Sequence, residues 1–153
     1  MGDISVAQAP VTLAIVGLGS CVGVALYCPK AKIGGLAHVM LPDSSRSRPG
    51  GAMEKFADVG IPVMIERMKK LGADPLFTSA RLVGGASMFK AGNGAGAFNI
   101  GESNVDACRS SLKLARIRVA GEDVQGGRGR TMRFSLETGK IVVKYVDGTL
   151  KEL

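Results

Sequence analysis

The chain has no tryptophan, one histidine and three cysteines among its 153 residues, and each shortage removes a class of protein. Cys21, Cys28 and Cys108 are odd in number and contain no CxxC pair, which argues against a disulfide scaffold and against a zinc site. No metal and no cofactor are expected, and a reducing, cytoplasmic setting fits. There is no Gly-Lys-Ser/Thr run, so a P-loop is excluded. The one arginine–glycine segment, Arg128-Gly129-Arg130, has no interleaved aromatic on which a base could stack, so nucleic acid is not an expected partner. Charge is scarce as well, since residues 4–29 contain no Asp, Glu, Lys or Arg. A run of that length resembles a membrane span. Gly17, Gly19 and Ser20 interrupt it, however, and Met1-Gly2-Asp3 lacks the basic start of a signal peptide, so two buried strands joined by a turn account for it better.

What the chain has in plenty is glycine, 22 residues gathered at turns. With 46% hydrophobic and 22% charged residues it reads as an ordinary globular protein, and its length predicts one domain over residues 1–153 that buries about two-thirds of its unfolded surface. The formal charge of +7 is read as a solvated basic surface that would favour acidic partners by steering.

Apolar alternation predicts strands over 11–18, 22–27 and 33–41, the first two buried, followed by a polar, exposed loop at 42–51 that would rim a site. From about residue 53 to 71, Phe56, Val59, Val63, Met64, Met68 and Leu71 share one helical face. Gly72 ends that helix, and Pro62 either kinks it or opens its second half. A strand follows over 77–83, then a glycine-rich loop at 91–97. A second helix is expected to start near Ser103, with Asp106 as its capping partner, and to bury Val105, Cys108, Leu112 and Ala115. One more strand and a hairpin, 131–136 with 140–146, complete an α+β layered order.

Cys21 follows a tight turn, Gly17-Leu18-Gly19-Ser20, at the mouth of the second strand. Val22, Val24 and Leu26 then repeat at period two, so these glycines do not open a nucleotide-binding helix. The thiol is therefore either a small buried hydrophobe or a nucleophile whose oxyanion would be met by N–H groups of the Gly19 to Cys21 turn. His38 shares a strand face with Leu36 and Met40 and is the only imidazole able to serve such a thiol; its ordinary reading is a half-buried structural histidine. Cys28 and Cys108 are read as packing residues.

Seven segments go further: Gly17-Leu18-Gly19-Ser20-Cys21-Val22-Gly23-Val24, Leu36-Ala37-His38-Val39-Met40-Leu41-Pro42-Asp43, Lys55-Phe56-Ala57-Asp58, Gly84-Gly85-Ala86-Ser87-Met88-Phe89, Asn99-Ile100-Gly101, and Gly121-Glu122-Asp123 with Glu137-Thr138-Gly139. In this order the chain resembles the CheD family, the chemoreceptor glutamine deamidases of bacterial and archaeal chemotaxis. The resemblance implies an α+β fold, a layered α/β/β sandwich with mixed sheets and two main helices. It implies a cysteine-dependent amidohydrolase that converts receptor glutamines to glutamates and releases ammonia, with methyl-ester hydrolysis as a related activity. Cys21 would be the nucleophile and His38 the base, with Gly19 and Ser20 supporting the oxyanion. Methyl-accepting chemotaxis receptors are the implied partners, and a CheC-type phosphatase a further one. The family also carries a hydroxyl residue six positions before the cysteine, where this chain has Ile15; Thr12, three residues further upstream, is no simple substitute. A backbone carbonyl or a water would then have to orient His38. The alternative implied by the same resemblance is a non-catalytic or weakly catalytic adaptor that docks on receptors or on a CheC-type phosphatase.

Overall fold

The period-two stretches and the two helical faces assemble into three layers. The computed structural model describes residues 3–47, 50–87 and 99–153, without the side chain of Arg46. The loop expected at 91–97 lies outside the described residues, as do Arg48, Pro49, Met88 and Phe89 from the segments named above. Strands β1 (Ile4–Gln8), β3 (Val22–Cys28), β4 (Ile33–Val39), β5 (Ser79–Gly84) and β6 (Arg118–Val124) form one sheet in the order β1-β4-β3-β5-β6, antiparallel except for the β5–β6 pair. Strands β2 (Thr12–Leu18), β7 (Arg130–Ser135), β8 (Ile141–Tyr145) and β9 (Leu150–Glu152) form a second, antiparallel sheet in the order β2-β7-β8-β9. Helices α1 (Ala57–Leu71) and α2 (Ile100–Leu114) cover the outer face of the five-stranded sheet. This is the α+β sandwich expected.

Two apolar cores separate the layers. Val22, Val24, Leu26, Ala37 and Val39 pack under Ile61, Met64, Met68, Val105 and Leu112 of the helices. Ala25, Tyr27 and Leu36 face the other way, onto Met132, Phe134, Leu136, Ile141 and Val143 of the second sheet. Strand β3 is therefore buried on both faces, which explains why it tolerates no charge.

Several expectations need correction. Strand β2 is not buried throughout, because only one face meets the core; Val16 on the other face is 77% exposed. The N-terminal lead is itself a strand, β1, paired antiparallel with β4 from Ile4↔Ala37 to Gln8↔Ile33. The first helix begins at Ala57, with residues Met53–Lys55 in a separate 3-10 turn, since Phe56 is extended between them. Pro62 does not open a separate half of α1, which runs through it to a left-handed Gly72. The second helix begins one turn earlier than Ser103. Asn99 is its N-cap, accepting from the Glu102 N–H at 3.2 Å, and Asp106 has no capping role. The loop at 42–51 is partly structured, with Ser44–Arg46 in a 3-10 turn fastened by Ser44 to the Asp58 carboxylate.

Candidate active site

Strands β2 and β3 are joined by a three-residue turn, Gly19-Ser20-Cys21, yet they lie in different sheets. The turn carries the chain across the end of the sandwich, and that crossing brings a cysteine to the mouth of the gap between the sheets. A bulge-like register break between Ile15 and Leu18 precedes it, with Gly17 at φ +76°. Cys21 is half-buried against the inter-sheet core, whereas Cys28 and Cys108 are buried.

His38 reaches the same place from β4. Gly23 of β3 pairs with His38, and Gly34 and Leu36, on the same face of β4, both point into the inter-sheet core. Cys21 lies two residues before Gly23 on the matching face of the chain, so the two groups are diagonal neighbours, about 7–8 Å apart at their backbones and within reach through the imidazole. The register thus places the two predicted reactive residues on one face of adjoining chain segments, with no hydrogen bond between their side chains among the described residues. Gly23 lets the second sheet pack closely beside them: a Cβ there would come within 2.9 Å of Met132 Sδ, 3.1 Å of Leu18 Cδ1 and 3.4 Å of Ile15 Cδ1. Ile15 therefore packs over Gly23 from β2 together with Leu18 and Met132, and the wall on this side is apolar.

The electrostatics follow from that wall. Burial pushes the Cys21 thiol up, and its own backbone N–H only partly offsets this. Burial also pulls the His38 imidazole down, against the opposing attraction of the Asp3 carboxylate. At neutral pH both groups are thus uncharged, an arrangement suited to proton transfer during attack rather than to a standing thiolate–imidazolium pair. His38 Nε2 is shielded from solvent and bonded to no described residue, so no backbone carbonyl among them takes the place of the hydroxyl that Ile15 lacks. Cys108, deep under α2, is pushed up to about 12 by burial and is inert by comparison.

The turn itself is held from outside. Ala86 N–H donates to the Gly19 carbonyl at 2.8 Å and Gly85 N–H to the Cys21 carbonyl at 2.8 Å. Between them, Asn104 Nδ2 donates to the Ser20 carbonyl at 3.0 Å and also to the Met40 carbonyl at 3.0 Å. Gly84 must be glycine for this fit: its φ is +116°, and a Cβ would lie 2.3 Å from the Cys21 carbonyl oxygen. The sequence reading passed over Asn104 and the Gly84-Gly85-Ala86 brace as parts of the site. A signal existed for Asn104, because it sits one turn before Cys108 on the buried face of α2, where a polar residue needs a reason. On the opposite side of the first sheet, a groove of about 630 Å³ between α1 and α2, lined by Pro62, Ile65, Ala107 and Leu114 among others, has no part in this pair.

Fold and site together define an α/β/β sandwich that presents one cysteine and one histidine between its sheets at one end. The sequence profile described as CheD chemotactic sensory transduction matches residues 40–145. A protein of Desulforamulus reducens described as a probable chemoreceptor glutamine deamidase CheD is 42% identical over 151 residues, spanning 99% of this chain and 91% of that protein. Proteins of the same description from Caldanaerobacter subterraneus and Clostridium botulinum are 43% and 42% identical, over 99% and 100% of this chain and 93% and 94% of their own lengths. The chain belongs to the CheD family. Among its described residues, no helix is long and apolar enough to cross a membrane.

Proposed function

We propose that this protein is a glutamine deamidase of methyl-accepting chemotaxis receptors, acting in the cytoplasm as one domain over residues 1–153, with Cys21 as nucleophile and His38 as base. The observation that carries the reading is the crossing turn, which sets the half-buried thiol diagonally across from the one imidazole of the chain. Family membership supports the substrate class, since the relatives described above carry that activity in their descriptions.

The cycle follows from two neutral groups. As Cys21 Sγ adds to the carboxamide carbon of a receptor glutamine, the thiol proton passes to His38 and the carbonyl oxygen becomes an oxyanion facing N–H groups of the Gly19 to Cys21 turn. Collapse breaks the C–N bond, the imidazolium gives its proton to the departing nitrogen, and ammonia leaves a thioester. Water then loses a proton to His38 as its oxygen adds to the thioester carbon, and expulsion of Cys21, reprotonated by the imidazolium, releases glutamate. A methyl ester would enter the same cycle with methanol as leaving group.

One observation favours a second reading, the adaptor that docks on receptors or on a CheC-type phosphatase: Ile15 offers no hydrogen bond, and His38 Nε2 has no described partner. Incubating a receptor signalling segment with the parent and with Cys21→Ala, then mapping glutamines by mass spectrometry, separates the two. Gln-to-Glu conversion by the parent alone supports the deamidase. Tight binding with no conversion by either protein would leave the adaptor.

A further inference from the structure

Asn104 is fully buried, and its amide spends both donor hydrogens on main-chain carbonyls while its own Oδ1 bonds to nothing described. The alternative amide orientation would set Oδ1 against two carbonyl oxygens, so these carbonyls fix which way the group points. A buried acceptor left without a partner is unfavourable. Packing alone would be served better by an apolar residue, as at the neighbouring positions Val105 and Cys108. The two carbonyls it joins belong to the two halves of the site: Ser20 precedes the thiol, and Met40 lies two residues beyond His38.

The Ser20–Cys21 peptide is trans, like every described peptide except Ala9–Pro10. Its carbonyl and N–H therefore point in opposite directions. Asn104 grips the carbonyl from the helix side, which turns the Cys21 N–H away from α2 and towards the gap between the sheets. Among the described residues nothing accepts that N–H except the Cys21 sulfur itself. Its neighbours in the turn are held by backbone groups, the Gly19 carbonyl by Ala86 and the Cys21 carbonyl by Gly85. The central peptide depends on a side chain.

We propose that Asn104 is a positioning residue: it locks the Ser20–Cys21 peptide so that the Cys21 N–H serves as the oxyanion donor, and through Met40 it holds the His38 strand in register with that donor. The catalytic half of this inference rests on the deamidase reading, whereas the orientation of the N–H does not. Because the same N–H contacts the Cys21 sulfur, its loss also withdraws a hydrogen bond from the thiolate.

The test uses the full chain with Asn104→Leu, which keeps the volume, and Asn104→Ala, which does not. Melting temperature confirms folding, and two quantities are then read: the pH midpoint of Cys21 alkylation by iodoacetamide, and kcat and KM on a receptor segment. The midpoint is expected to rise by roughly half a unit or more in whichever variant folds. The expected kcat is lower by about a hundredfold, with KM nearly unchanged. An unchanged midpoint in a folded variant overturns the proposal whatever happens to kcat, and so does a raised midpoint accompanied by unchanged kcat. Failure of the deamidase reading would look different: the parent would release no ammonia, while the midpoint would still report whether Asn104 orients the N–H.

Discussion

Three sulfurs and one imidazole carry most of the chemistry that can be argued residue by residue. Cys21 is the only half-exposed thiol, and Cys28 and Cys108 are sealed in the helix-side core. Brief alkylation of the folded protein should label Cys21 alone, as read by peptide mass spectrometry; early label on Cys108 would contradict the packing of α2. With His38 as the proposed base, the pH dependence of turnover follows from its burial. Its pKa is lowered by burial, so the imidazole stays neutral and able to accept a proton as pH falls below the usual imidazole value of about 6.5. Activity should therefore persist to more acidic pH than an exposed histidine would allow and disappear only as pH passes through the lowered value, which a kcat/KM profile measures. Position 15 offers a third check. Ile15 packs over Gly23, which pairs with His38, so Ile15→Thr would put a hydroxyl, one atom shorter in reach than Cδ1, on the side of β2 that faces this pair. The expected result is equal or higher kcat with KM little changed, and lower activity in Ile15→Ala than in Ile15→Thr; a much slower threonine variant of normal stability would mean that His38 is oriented by other means. Cys21 and His38 were legible because glycine turns and period-two alternation are local signals. The departure at Ile15 was visible only through the family resemblance, and its packing over Gly23 depends on which strand of the other sheet lies opposite.

Strands announced themselves in proportion to how much of their pattern was local. Strands β3 and β4 were plain from alternation, and the β7–β8 hairpin from the Glu137-Thr138-Gly139 turn. Strand β1 was hidden, because only its long-range pairing with β4 makes it a strand. Helix α2 was misjudged by one turn, since Ser103 and Asp106 mimic a capping box while the true pair is Asn99 and Glu102. That turn matters, because it sets the frame that aims Asn104 at the Ser20 carbonyl. The loop after β5 matters equally. Gly84→Ala would force a left-handed alanine and push its Cβ into the Cys21 carbonyl. A stability loss of about 1–3 kcal/mol is expected, together with a fall in kcat larger than in variants of equal stability elsewhere. Thermal melts and single-substrate kinetics check both.

Across the whole molecule, the order of elements indicated layers but could not reveal that β2 and β3, joined by a short turn, belong to opposite sheets. Two strands joined by a turn leave open which sheet each enters; tertiary pairing with β7 on one side and with β4 and β5 on the other puts them in different sheets. The same end of the sandwich is fastened by a buried ion pair between sheets. Arg130 of β7 donates through Nη1 to Asp123 Oδ1 of β6 at 3.0 Å and through Nη2 to the Gln125 carbonyl, while Tyr145 of β8 donates to Asp123 Oδ2 at 2.6 Å. Gln125 N–H in turn donates to the Gly84 carbonyl, which continues the fastening to the brace behind Cys21. Arg130→Met would leave buried Asp123 with only the half-exposed Lys151 ammonium, 3.8 Å away, as its cation and should cost up to about 3–5 kcal/mol, seen as a large drop in denaturation midpoint with unchanged m-value.

On the proposed mechanism, receptor glutamine is attacked by Cys21 at the crossing of the two sheets. The most direct measurement of that attack is acid quenching of the protein during turnover of a receptor segment, followed by mass analysis of the peptide that contains Cys21. A substrate-derived acyl adduct on Cys21 is expected during turnover, absent from Cys21→Ala and scarce in His38→Ala. Deamidation that proceeds with no adduct on Cys21, and equally well in Cys21→Ala, would contradict it.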